Sequence, residues 1–117
     1  MLPETARPDN GHYLQRNGRT VGAVIDGELV KRVKGSIHML RSPRGWAVDA
    51  EILDDARALG AVAVRIEDTE TGKIYRADLV TIDAHGWTFD RKYGRQVVLP
   101  LTYWQLEGAP IQAALFA

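Results

Sequence analysis

The sequence has no cysteine. That excludes disulfides, thiolate metal sites and cysteine nucleophiles, and it suits a reducing compartment such as the cytosol. No apolar run approaches the ~18 residues needed to span a bilayer. The opening stretch, MLPETARPDNG, is polar with two prolines and lacks the apolar segment of a signal peptide. The expectation is a soluble, cytoplasmic protein with no membrane contact. A surplus of one charge is also missing. Lys and Arg number 15 against 15 Asp and Glu, with a pI near 6.8, short of the basic balance of dedicated nucleic-acid binders.

What is present fits one globular domain. The 117 residues are near the commonest domain size, and 45% hydrophobic with 26% charged are ordinary proportions. Residues 1–11 read as a flexible N-terminal arm, because they hold too little apolar surface to order themselves. Residues 12–117 read as the domain. Asp26-Gly27 lies between two β-branched runs, the strongest short-range hairpin signal, and predicts Ile25 opposite Glu28 and Val21 opposite Arg32. SIHML, residues 36–40, reads as a further strand. DAEILDDARALG predicts the main helix, about 49–59, with Asp49 as N-cap, Ile52, Leu53, Ala56 and Leu59 on one face, and Gly60 as its stop. AVAVRIED and KIYRADL form a second hairpin around TETG. VTIDAHG gives a short helix. WTFD and QVVLPLTYW are strands around RKYGR, the latter placed on a sheet edge or at a break by Pro100. The tail EGAPIQAALFA reads as a short helix or a docked end. Long parallel crossovers are missing, so the expected fold is α+β with a mostly antiparallel sheet of hairpins.

Catalytic patterns are weak. Gly72-Lys73 lacks the earlier glycine and the following helix of a phosphate-binding loop. His12, His38 and His85 are far apart and read as ordinary surface or turn histidines. Ser36 and His38 could share a strand face, but no elbow exposes the serine. Glu67, Asp68 and Lys73 flank one hairpin and could hold a metal ion for hydrolysis. Acids at a hairpin tip are also what solubility demands.

The sharpest feature is KRVKGSIHMLRSPRGW, residues 31–46, with five Lys or Arg and no acid. A second basic segment, Arg91, Lys92 and Arg95, surrounds Tyr93 after Trp87. Cations beside aromatic faces grip phosphates and stack bases. If the two segments meet, they make one contact face. The expectation is therefore a non-enzymatic binding module contacting nucleic acid through Arg32, Lys34, Arg41, Arg44, Arg91, Lys92 and Arg95, with Trp46 or Tyr93 stacking. No catalytic residue, metal ligand or cofactor is assigned. One alternative is a protein-interaction or homodimeric assembly module using the edge QVVLPLTYW. A second is a small metal-dependent nuclease or hydrolase.

Overall fold

The computed structural model describes residues 11–16, 18–41, 44–92 and 94–107, with the side chains of residues 37 and 41 left aside. Residues 1–10 of the N-terminal arm, the C-terminal tail from residue 108, and Tyr93 lie outside the described residues, while Gly11, expected in the arm, is the first residue of a strand. The chain begins as a meander of β1 (Gly11–Arg16), β2 (Arg19–Ile25) and β3 (Glu28–Val33). Asp26 at φ 51° and Gly27 at φ 79° supply the positive pair that a type I′ turn requires, and Ile25 pairs with Glu28. The β2–β3 ladder ends at Ala23–Val30 and does not extend to the expected Val21–Arg32 pair.

Where SIHML predicts a strand, residues Gly35–His38 form a single helical turn, α1. Long-range contact overrides local preference here. Asp68 Oδ1 accepts from Gly35 N at 3.0 Å, and Glu70 Oε1 accepts from Ser36 N at 2.7 Å. These carboxylates satisfy donors that a helix leaves open at its start. Next come β4 (Leu40–Arg41), β5 (Arg44–Asp49) and α2 (Ala50–Ala58). Asp49 caps α2 as expected, its Oδ1 accepting from Glu51 N at 2.9 Å and Ile52 N at 3.3 Å. β6 (Ala63–Asp68) and β7 (Ile74–Asp78) form the second hairpin, followed by α3 (Leu79–His85). β8 (Trp87–Arg91), β9 (Gly94–Pro100), a 3-10 turn at Leu101–Tyr103 and β10 (Gln105–Leu106) complete the described chain.

Two sheets result. The six-stranded sheet has the order β1-β2-β3-β6-β7-β10, and the four-stranded sheet β4-β5-β9-β8. Among the described residues only the β3–β6 pair is parallel, so the fold is α+β and mostly antiparallel. β9 lies between β5 and β8. Of the two placements Pro100 allows, the break holds, since β9 stops there and the 3-10 turn follows, and the edge does not: Val98 and Leu99 are 1% exposed because neighbours flank the strand on both sides. The core joins Leu29, Val64, Ile66 and Tyr75 of the large sheet with Trp46, Val48 and Leu99 of the small one and with Ile52, Leu53 and Ala56 of α2. Each such side chain contributes roughly 1.5–3 kcal/mol by leaving water. Trp46 meets Tyr75 of β7 at a ring separation of 5.3 Å, while Asp49 pairs with Arg16 of β1. β5 therefore crosses the large sheet from its β7 side to its β1 side.

Candidate interaction surface

The basic stretch does not stand alone. Arg32 Nε donates to Glu67 at 3.0 Å, and the Lys34 ammonium acts on Glu70. The amides of Gly35 and Ser36 bind Asp68 and Glu70. The acids 67–70, one hairpin tip away in space, thus meet the cations of 31–36. Burial alone would raise the Asp68 carboxyl, which is 5% exposed. Donation from Glu70 N, Gly35 N and the Thr71 hydroxyl outweighs that and holds it below the usual carboxylate range. Bonds from Ser36 hold Glu70 low as well.

Trp46 is 2% exposed and packed in the core, so its indole offers no face to a base. That corrects its assignment as a stacking platform. Apolar burial of the largest side chain in the chain outweighs any surface role.

The two basic segments are also apart. β5 and β9 pair Gly45 with Pro100 and Asp49 with Gln96. Arg44 therefore sits at one end of the small sheet and the β8–β9 tip at the other. Four intervening residues at ~3.4 Å each give a separation of more than ~13 Å. At the tip, Arg95 is paired with Asp90 at 3.1 Å and the Arg91 guanidinium lies 5.1 Å from the Phe89 ring centre. What meets this tip is the β1–β2 hairpin, because a Cβ on Gly94 would stand 2.9 Å from Arg16 Nη2. Arg16 bridges Asp49 and Glu51, and Gln96 Nε2 donates to Asp49 at 3.3 Å. Burial lowers the Lys31 ammonium nearby, with Asp49 opposing. Arg16 and the exposed Arg19 escaped the sequence reading. The signal that would have found them is Asn17-Gly18, a second hairpin dipeptide within LQRNGRT.

The far face of the large sheet carries a different surface. Residues alternate across a strand, so Glu28, Val30 and Arg32 of β3, Arg65 and Glu67 of β6, and Arg76 of β7 share it. Their charges cancel in rows. Arg76 bonds Glu28 and Asp78, the Glu28 contact raising its guanidinium further. Arg65 bridges Glu67 at 3.1 Å and Glu107 at 2.9 Å, and Glu67 also takes Arg32. Beside these rows runs an open groove of about 630 Å³, with Tyr13, Val21, Ile25 and Val30 as its apolar part and Arg32 and Arg65 at its charged side. No residue of a helix or of the small sheet lines it. Gly22 has its own requirement: a Cβ there would stand 3.0 Å from Val30 O. The β2–β3 ladder stops at Ala23, one residue short of Gly22, and the groove opens where the strands part.

Glu67 and Asp68, adjacent on β6, point to opposite faces, the first toward Arg32 and Arg65, the second toward Gly35. The geometry does not bring them together on one ion. Among the described residues no three His, Asp or Glu side chains are grouped to hold a metal. His38 Nδ1 lies against the Lys34 backbone, and His85 stacks on Tyr103 at 4.3 Å. Among the described residues no helix is long and apolar enough to cross a membrane. Comparison with models of protein families, with curated proteins and with solved structures gave no match.

Proposed function

We propose that this chain is a non-enzymatic interaction module that takes an apolar segment of a partner protein on the far face of its six-stranded sheet. The observation that carries the reading is the groove beside Tyr13, Val21, Ile25 and Val30, flanked by arginines already neutralised by Glu67, Glu28 and Glu107. A surface whose cations are paired attracts a polyanion weakly, whereas apolar area rimmed by satisfied charge is the usual make-up of a protein contact. The absence of cysteine suits a cytosolic setting for such a module.

The test is a peptide-display selection on the wild-type protein, counter-selected on Val30→Asp and Tyr13→Glu. Enriched peptides should be apolar, should bind nearly as well in high salt, and should lose at least about tenfold in affinity on either variant. Peptides that bind both variants unchanged, or binding that vanishes with salt, refute it.

A second reading, contact with nucleic-acid phosphates, keeps one observation. The tips of β1–β2 and β8–β9 abut and gather Arg19, Arg91, Lys92 and Arg95, with Asp90 the acid bonded among them. Reversing charge at Arg91 and Lys92 would abolish binding of that kind and leave groove binding intact.

A further inference from the structure

The small sheet ends on β8, and the phase of its pairing with β9 leaves an edge of defined chemistry. Two residues, Lys92 and Tyr93, separate the paired Arg91 and Gly94. Around a two-residue turn the flanking pair exchanges both backbone hydrogen bonds, and bonded positions then recur at every second residue. Arg91, Phe89 and Trp87 therefore direct their N–H and C=O toward Gly94, Gln96 and Val98. Thr88 and Asp90 direct theirs outward. No described strand pairs with that side of β8.

Exposed sheet edges template association unless charges, prolines, bulges or brevity blunt them. β4 and β10 are two residues long, and the register shift at Leu14/Gln15 interrupts β1. β8 has no proline and no bulge, and its two charges, Asp90 and Arg91, stand together at its C-terminal end. Its register is continuous over five residues, and Trp87, Thr88 and Phe89 are strand formers. Trp87 is 58% exposed, an unusual place for the side chain with most apolar area to lose.

We propose that two copies of this chain pair antiparallel through β8, about a two-fold axis at Phe89, joining their small sheets into one of eight strands. The outward donors permit this register. Thr88 faces the partner's Asp90 and Asp90 faces the partner's Thr88, which gives four backbone hydrogen bonds. Phe89 and its copy, and Trp87 and the partner's Arg91, then occupy non-hydrogen-bonded positions, where Cα atoms approach to ~4.5 Å and side chains pack closest. Arg91 already lies over an aromatic ring within its own chain, and the partner's Trp87 offers it a second. No like charges stand directly opposite in this register; Asp90 and its copy are diagonal neighbours, each bonded to the Arg95 of its own chain. The same patch serves both copies, as a two-fold contact requires. This surface is separate from the groove and does not rest on the reading given for it.

Sedimentation equilibrium over a wide concentration range tests the pairing. The wild-type mass should rise from 13.0 kDa toward twice that value as concentration increases to ~0.5 mM, since a short edge contact is a weak one. Thr88→Pro deletes an outward N–H and leaves the bonds to β9 untouched, so it should raise the dimerisation midpoint at least about tenfold with little change in far-UV circular dichroism. Trp87→Lys places a cation opposite the partner's Arg91 and should do the same, and it decides the matter if the proline variant unfolds. A wild-type protein that stays at 13.0 kDa throughout overturns the proposal. So does a dimer whose midpoint moves less than about threefold in a folded Thr88→Pro or in Trp87→Lys.

Discussion

Replacing Asp68 with alanine should cost this fold about 2–3 kcal/mol at neutral pH. The carboxylate accepts from Gly35 N at 3.0 Å, Glu70 N at 3.0 Å and the Thr71 hydroxyl at 3.1 Å. A hydrogen bond to a charged group is worth roughly 1.5–3 kcal/mol, and an orphaned donor costs ~1–3 kcal/mol. Glu70 and Thr71 are exposed, so water replaces the carboxylate for them. Gly35 N–H sits in the tighter part of the cradle and recovers least, which sets the net loss near one such bond plus part of a second. For a domain of this size each kcal/mol moves Tm by ~4 °C, so a drop of about 8–12 °C is expected. Urea denaturation gives the free energy directly. Its pH dependence gives the sign. Because the folded carboxyl is held below its unfolded value near 3.9, the stabilisation is complete above that value and is lost as pH falls through the folded one. The gap between wild type and Asp68→Asn should therefore be constant near neutral pH and narrow as pH falls below the ordinary carboxylate value of about 3.9. Gly35→Ala attacks the same contact from the other side, since its Cβ would fall 2.3 Å from Asp68 Oδ2. The double variant Gly35→Ala/Asp68→Ala should cost less than the two single losses combined. A loss under ~0.5 kcal/mol for Asp68→Ala, or a pH-independent gap for Asp68→Asn, would refute the reasoning.

Three further outcomes follow from the same geometry. Asp49→Ala removes both the α2 cap and one of the acidic partners of Arg16, so it should cost about 2–3 kcal/mol in urea, while Asp49→Asn, which retains the cap, should cost roughly half as much. Trp46→Phe should destabilise by about 1–3 kcal/mol as a core truncation, and the Trp46 fluorescence should resist iodide quenching. Gly27→Ala, at φ 79° in the Asp26-Gly27 turn, should cost about 1 kcal/mol with no change in oligomeric state.

Local chemistry was legible in the sequence. The Asp26-Gly27 turn, the Asp49 cap, Ile52, Leu53 and Ala56 on the apolar face of α2 and the β6–β7 hairpin each depend on residues close together in the chain and stand where the pattern put them, whereas Leu59, expected on the same face, caps the helix end and is 40% exposed. Asn17-Gly18 carries an equal signal for the hairpin of β1 and β2, next to a polar N-terminal stretch whose composition resembles disorder. What the pattern could not convey is distance. Arg32 finds Glu67 35 positions away, and Gly35 finds Asp68 33 positions away, so the first part of a stretch that looks like a cationic patch becomes one half of a contact with acids. The same pairing turns SIHML from a strand into a helical turn. Nor does a local pattern show that β3 runs parallel to β6, or that β8 outflanks the more apolar β9 at the sheet edge. The groove was invisible for a related reason: its walls come from four strands whose individual residues are unremarkable.

The central claim is that contact runs through the apolar groove of the open sheet face rather than through the cations of residues 31–46. Fluorescence anisotropy of labelled single- and double-stranded oligonucleotides, titrated at low and moderate salt, tests it most directly. The account predicts no micromolar binding and no steep dependence on log[salt]. Micromolar binding that weakens with salt and is lost in Arg41→Glu/Arg44→Glu would contradict it and return the function to the basic stretch.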